Sequence, residues 1–116
     1  MAMHVMLKKA REIQTDPFDA GEGRISLVDI ISRPESAPFS AGMAEIWKSA
    51  PIEFEYDSDC AVCFMLEGEL TLTEEGKSMS FMPGDVAFIP QREGLKVVWE
   101  SPSHGRFYYV TYPHWR

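Results

Sequence analysis

The chain has 116 residues, 45% hydrophobic and 25% charged, the make-up of one globular domain with enough apolar side chains to bury a core. Eighteen acidic residues against eleven basic ones give a formal charge of −7, and the one basic cluster, Lys8-Lys9 with Arg11, is too small to line a groove; both facts argue against nucleic acid or an anionic membrane as main partner. The opening MAMHVMLKKAREIQ lacks the layout of a signal peptide, and no run approaches the ~18 apolar residues of a membrane span.

Residues 1–20 show weak helical spacing (Val5, Met6, Ala10, Ile13) and read as an irregular arm or one short helix closed by Asp16-Pro17. Gly21-Glu22-Gly23 is a turn. Residues 24–31 alternate at first and become apolar on both faces, as expected of a strand covered by its own core and by a partner subunit. Residues 1–24 are therefore expected to form an arm contributing, with residues 28–31, to a homodimer interface, and residues 25–116 the main domain. Residues 32–40, with two prolines and three serines, make a loop; 43–48 are a strand, 49–51 a turn and 52–56 another strand. A further strand covers 61–66. Cys60 and Cys63 then point to opposite faces of extended backbone, so no disulfide between them is expected and a reducing cytoplasm fits.

The stretch 64–90 carries the most legible turns. Gly68 bends one strand into the next, Leu70 and Leu72 alternate with Thr71 and Thr73, and Glu74-Glu75-Gly76 closes a hairpin. Pro83-Gly84-Asp85 has the type II turn pattern, and Val86–Ile89 is a compact apolar strand stopped by Pro90. Residues 95–100 and 107–112 supply the last strands, with a turn at 101–105 between them and a short aromatic tail, Pro113-His114-Trp115, after them. About nine short strands without a long helix predict an all-β sandwich or small barrel.

Two blocks, Met65-Leu66-Glu67-Gly68-Glu69-Leu70 and Pro83-Gly84-Asp85-Val86-Ala87-Phe88-Ile89-Pro90, resemble the two signature blocks of the cupin superfamily. Ser40-Ala41-Gly42, Ile46-Trp47, Trp99-Glu100, Arg106-Phe107, Tyr109-Val110 and Pro113 extend the likeness to the subgroup of ethanolamine-utilisation and ureidoglycine-type cupins, over roughly residues 25–115. The resemblance implies a jelly-roll β-barrel, the double-stranded β-helix, in a protein that pairs as a homodimer. Metal-binding cupins keep His-x-His and a glutamate in the first block and a further histidine after the second. Here those positions fall near Glu55 and Asp57, on Ala61, and between Leu95 and Val97, so the resemblance implies a barrel without the usual metal ligands. His4, His104 and His114 lie in the arm, a turn and the tail, where they cannot converge as a three-histidine site.

Glu53, Glu55, Asp57 and Asp59 fall at every second position. In continuous phase with Ala61, Cys63 and Met65 they would be buried and unpaired, so a turn at 57–59 that resets the phase is expected, leaving Glu53 and Glu55 solvated and Asp57 and Asp59 near the barrel mouth. Glu45 could face inward as a lone carboxylate with a raised pKa, or outward as a surface residue, since both faces of its strand are apolar. Cys63, between Val62 and Phe64, reads as a small buried hydrophobe without the cationic neighbour a nucleophile needs. Trp47, Tyr56, Trp99 and Tyr109 each carry a polar atom that wants a partner, so they are the aromatic candidates for a cavity wall. The expected lining is Glu45, Trp47, Tyr56, Asp57, Cys63, Met65, Trp99 and Tyr109.

Three functions follow. The first is a cofactor-free cupin that binds a small molecule in an accessory, sensing or metabolic role; the resemblance points to the ethanolamine-utilisation type. The second is an enzyme with a divalent metal held by carboxylates such as Glu45, Asp57 and Asp59. The third is a structural dimer whose barrel is only core.

Overall fold

Ten strands form in the computed structural model, which describes residues 4–18, 25–48 and 51–116. The turn read at 21–23 and most of that at 49–51 lie outside the described residues. In chain order the strands are β1 (Asp16–Phe18), β2 (Ile25–Ile31), β3 (Ser40–Trp47), β4 (Ile52–Glu55), β5 (Cys60–Gly68), β6 (Leu70–Glu74), β7 (Lys77–Phe81), β8 (Val86–Ile89), β9 (Lys96–Glu100) and β10 (His104–Tyr112). They pair antiparallel into a six-stranded sheet, β1-β2-β3-β10-β5-β8, and a four-stranded sheet, β4-β9-β6-β7. From β3 onward the chain passes repeatedly from one sheet to the other, the jelly-roll layout that the two sequence blocks implied.

Period-2 burial tells which side chains face the core. Leu70 and Leu72 of β6 point in, as do Ala61, Cys63 and Met65 of β5, and Phe107, Tyr109 and Thr111 of β10. Trp99, Ile46, Ile52, Leu70 and Leu95 are the best buried of the large side chains and fill the space between the sheets. Gly68 makes the β5–β6 bend at φ 81°, where a Cβ would also collide with the His104 carbonyl. That same carbonyl accepts the Glu69 N–H at 3.0 Å, locking the bend to the start of β10.

Several boundaries differ from the sequence reading. Residues 16–18 pair with β2, Asp16 opposite Leu27 and Phe18 opposite Ile25, instead of closing the arm. Pro17 is tolerated there because β1 is an edge strand. The arm holds one 3₁₀ turn, Ala10–Glu12, and the 32–40 loop another, Arg33–Glu35. Strand β3 begins at Ser40, earlier than expected, because Ser40, Ala41 and Gly42 are small and carry no apolar signal to read. The smallness has a use: a Cβ on Gly42 would strike the Tyr109 hydroxyl and the Val28 carbonyl. Strand β8 is apolar on both faces but only half covered, with Val86 and Phe88 exposed on the outside of the sheet.

Candidate functional site

The turn at 57–59 does reset the phase, and it builds one end of a cavity. Ile52 and Tyr56 are buried before it, Asp59 and Ala61 after it, while Glu53, Glu55, Asp57 and Ser58 stay exposed. Between the sheets at this end lies an open cavity of about 120 Å³. Its walls are inward residues of β2 (Ile25, Leu27), β3 (Ala44), β5 (Ala61, Cys63), β9 (Trp99) and β10 (Phe107, Tyr109, Thr111). Its rim is Phe54, Glu55, Tyr56 and Asp59 on one side and Trp115 on the other.

The aromatic wall is closely packed. Trp99 stacks on Phe107 with centroids 4.8 Å apart and meets Phe81 edge-on at 6.4 Å. Its indole N–H donates to the Tyr56 hydroxyl at 3.2 Å. Burial, with Cys63 close by, holds the Tyr56 phenol far above its ordinary pKa, so its O–H stays available as a donor. Burial likewise pushes the Cys63 thiol up to about 12, which keeps it neutral and unreactive, a small hydrophobe as its neighbours suggested. Cys60 and Cys63 are both free.

Among the described residues, two polar groups in the cavity lack protein partners. The Thr111 Oγ1 is buried without a hydrogen bond, on the strand position directly opposite Ala61. Asp59 is only 7% exposed, and burial first, then the charge of Asp57, raises its pKa above the ordinary carboxylate value. The Trp115 side of the rim is held by Asp29 on β2. That carboxylate accepts the Trp115 indole N–H at 2.7 Å, the Arg116 Nε–H at 2.8 Å and the Tyr109 hydroxyl, and the Tyr109 hydroxyl also lies 3.2 Å from the Val28 carbonyl. Phe18 meets Trp115 edge-on at 5.5 Å, and the Arg116 guanidinium lies 4.5 Å from the Trp115 ring centre. The arrangement can orient a small guest by hydroxyl and carboxylate contacts against apolar walls.

Of the expected lining, Tyr56, Cys63, Trp99 and Tyr109 do meet in the cavity. Four residues do not. Glu45 and Trp47 point outward from β3, because Ala44 and Ile46 take the inward phase; Glu45 sits 3.4 Å from His104 Nε2 and 3.8 Å from Arg106, and the Trp47 ring packs on His104. Asp57 is exposed at the turn, where it accepts the Ser58 hydroxyl at 3.3 Å. Met65 faces inward but packs into the core beyond the cavity. The expected lining lacked Asp59, Thr111 and Trp115. Thr111 continues the Phe107, Tyr109 alternation and was legible on that ground; Trp115 looked like loose tail.

The positions that would carry a cupin metal do not suit one. Ala61 lines the cavity without a donor, Leu95 and Val97 are apolar core, and Glu55 and Asp57 are solvated. Among the described residues no three His, Cys, Asp or Glu side chains could together hold a metal ion.

Comparison with known proteins agrees with this architecture. A family model described as ethanolamine utilisation protein EutQ matches residues 1–116. A relative from Salmonella typhimurium (strain LT2), named acetate kinase EutQ, is 33% identical over 99 residues, which is 83% of this chain and 41% of that protein. The chain thus spans about two fifths of the length of that relative. The solved ethanolamine utilization protein Q from Salmonella typhimurium LT2 superposes with a TM-score of 0.81 at 26% identity, over 90% of this chain and 83% of that one. A Cupin 2 conserved barrel domain protein from Salinispora arenicola, 16% identical, superposes at 0.68 over 97% and 90% and shows the shared fold.

Proposed function

The chain belongs to the EutQ family of ethanolamine utilisation proteins, with a cupin fold, and from that premise we propose that it binds a small molecule in its barrel without the usual metal ligands, in an accessory, sensing or metabolic role in the cytoplasm. The observation that carries the reading is the Thr111 hydroxyl, without a partner among the described residues inside a cavity and beside Ala61 of the neighbouring strand. A buried hydroxyl without a partner costs about 1–3 kcal/mol, a cost a guest can relieve. The same hydroxyl should report on the guest. In a thermal-shift screen of small alcohols, amines and acids, bound compounds should raise the unfolding midpoint, and Thr111→Val should weaken them about tenfold while leaving the ligand-free protein as stable or slightly more so. A screen without a hit overturns the reading, as does a stoichiometric transition metal in protein purified without chelator.

The name of the Salmonella relative raises acetate kinase activity as a second reading. Against it, Glu55 and Asp59 at the rim oppose an anionic carboxylate. Acetate-dependent release of ADP from ATP by the chain, above that of a Trp99→Ala control, would displace the binding-only reading.

Pairing with a second copy is part of the proposal. Phe64 and Leu66 of β5 and Val86 and Phe88 of β8 leave adjoining apolar side chains exposed on one sheet face, and Val5, Met6 and Leu7 of the arm are uncovered as well. Adjoining exposed apolar side chains of this kind suit a contact with another protein surface. Light scattering is expected to give twice the 13.2 kDa chain mass, and Phe88→Asp with Val86→Asp to return the monomer. A wild-type monomer at high concentration removes the dimer.

A further inference from the structure

Among the described residues, the charged side chains lining the mouth of the cavity are all carboxylates. Asp59 is buried and lines the cavity, yet among the described residues no hydrogen-bond donor and no cation stands against it. Asp57 adds negative charge beside it, and Glu55 is a residue of the same rim. A buried carboxylate without a partner is relieved by a cation that also donates hydrogen bonds. The remaining walls favour such a guest for a second reason. Phe54, Tyr56, Trp99, Phe107 and Trp115 are aromatic, and ring faces attract cations. A bare metal ion would need a cage of oxygens that these rings do not supply. An organic ammonium needs one carboxylate and apolar company. The volume sets the size: at the ~30 Å³ a water takes in the liquid, 120 Å³ corresponds to roughly four waters, so the guest has about five non-hydrogen atoms or fewer.

We propose that the cavity takes a small protonated amine, its ammonium group donating to Asp59, its stem against the aromatic wall, and any hydroxyl it carries meeting Thr111. The inference rests on the small-molecule-binding reading above and names the class of guest.

A charge series of nearly equal size tests it: n-propylamine (protonated at neutral pH), 1-propanol and propionate, each titrated calorimetrically into the full chain and into Asp59→Asn. Propylammonium is expected to bind at least about tenfold more tightly than 1-propanol, with propionate weakest. Asp59→Asn should bring the amine down to the level of the alcohol and keep alcohol binding, with the ligand-free thermal midpoint unchanged or raised. Equal binding of amine and alcohol, or tighter binding of propionate, overturns the ammonium assignment and leaves the cavity reading standing; so does an amine preference that survives Asp59→Asn. No binding of any of the three overturns both. The wild-type series stands without the variant, so a misfolded Asp59→Asn cannot rescue the proposal.

Discussion

Trp99→Ala is expected to lower the unfolding free energy by about 3–5 kcal/mol, a large part of the roughly 5–15 kcal/mol that holds a small domain together. Trp99 is 2% exposed and packs between the two sheets. On β9 it pairs with Ile52 of β4 on one side and Leu72 of β6 on the other, so its ring sits at the middle of the small sheet. Its flat face lies on Phe107 of the opposite sheet and its edge meets Phe81. Truncation opens a cavity next to one that already exists, which the surroundings have little means to fill. Trp99→Phe separates the parts of the effect: it keeps an aromatic ring against Phe107 but removes the donor to Tyr56, at an expected cost of about 1–2 kcal/mol. Urea unfolding followed by circular dichroism measures both. An alanine variant within about 1 kcal/mol of wild type would mean that the sheets do not depend on this contact.

Trp99 was legible because its strand is unambiguous: Leu95, Val97 and Trp99 alternate with polar or less buried residues, and the phase follows. The turns of 64–90 were legible for a similar reason, since glycine and proline mark backbone shapes that few other residues adopt. Strand β3 had no such mark. Its inward residues Gly42, Ala44 and Ile46 compete with outward Met43 and Trp47, and Met43 is itself only 6% exposed. With both faces apolar the sequence offers no sign of which is inside, and Glu45 and Trp47 went to the wrong one. Asp59 shows the opposite case. Burying four alternate carboxylates costs so much that a phase break had to follow, and physics alone located it.

The other half of the rim left no trace in the sequence. Asp29 lies within an otherwise apolar strand end, and Trp115 and Arg116 are more than eighty residues away from it. No periodicity links residues that meet only because β2, β3 and β10 are neighbours and Gly42 leaves room for the Tyr109 hydroxyl. Local patterns give strands and turns; a polar contact across three strands needs the register of all three.

Asp29 accordingly carries the second large prediction. Asp29→Ala is expected to cost about 2–3 kcal/mol at neutral pH, since it removes the shared acceptor of Tyr109, Trp115 and Arg116, takes the partner from the half-buried Trp115 indole N–H and leaves the Tyr109 hydroxyl only the Val28 carbonyl. Its pH dependence has a defined sign. Burial by itself would raise the Asp29 pKa, but the hydrogen bonds from Tyr109, Trp115 and Arg116 and the positive charge of Arg116 outweigh it, and the carboxyl is held below the ordinary value. The stability gained from ionised Asp29 is therefore full above the ordinary carboxylate pKa of about 4 and is lost as the pH falls through the lower folded value. Asp59, raised by burial and Asp57, behaves in the reverse sense: its favourable contribution exists below about pH 4 and is lost as the pH rises through its folded value. Urea titrations from neutral to acid pH should then show Asp29→Ala less stable than wild type at neutrality, with the gap narrowing below about pH 4. Asp59→Asn should be at least as stable as wild type at neutrality and lose that advantage in acid. The two carboxylates flank one cavity, one ionised to hold Trp115 in place, the other strained by its own charge. A pH-independent gap for Asp29→Ala would remove the ionised network from the account of the rim.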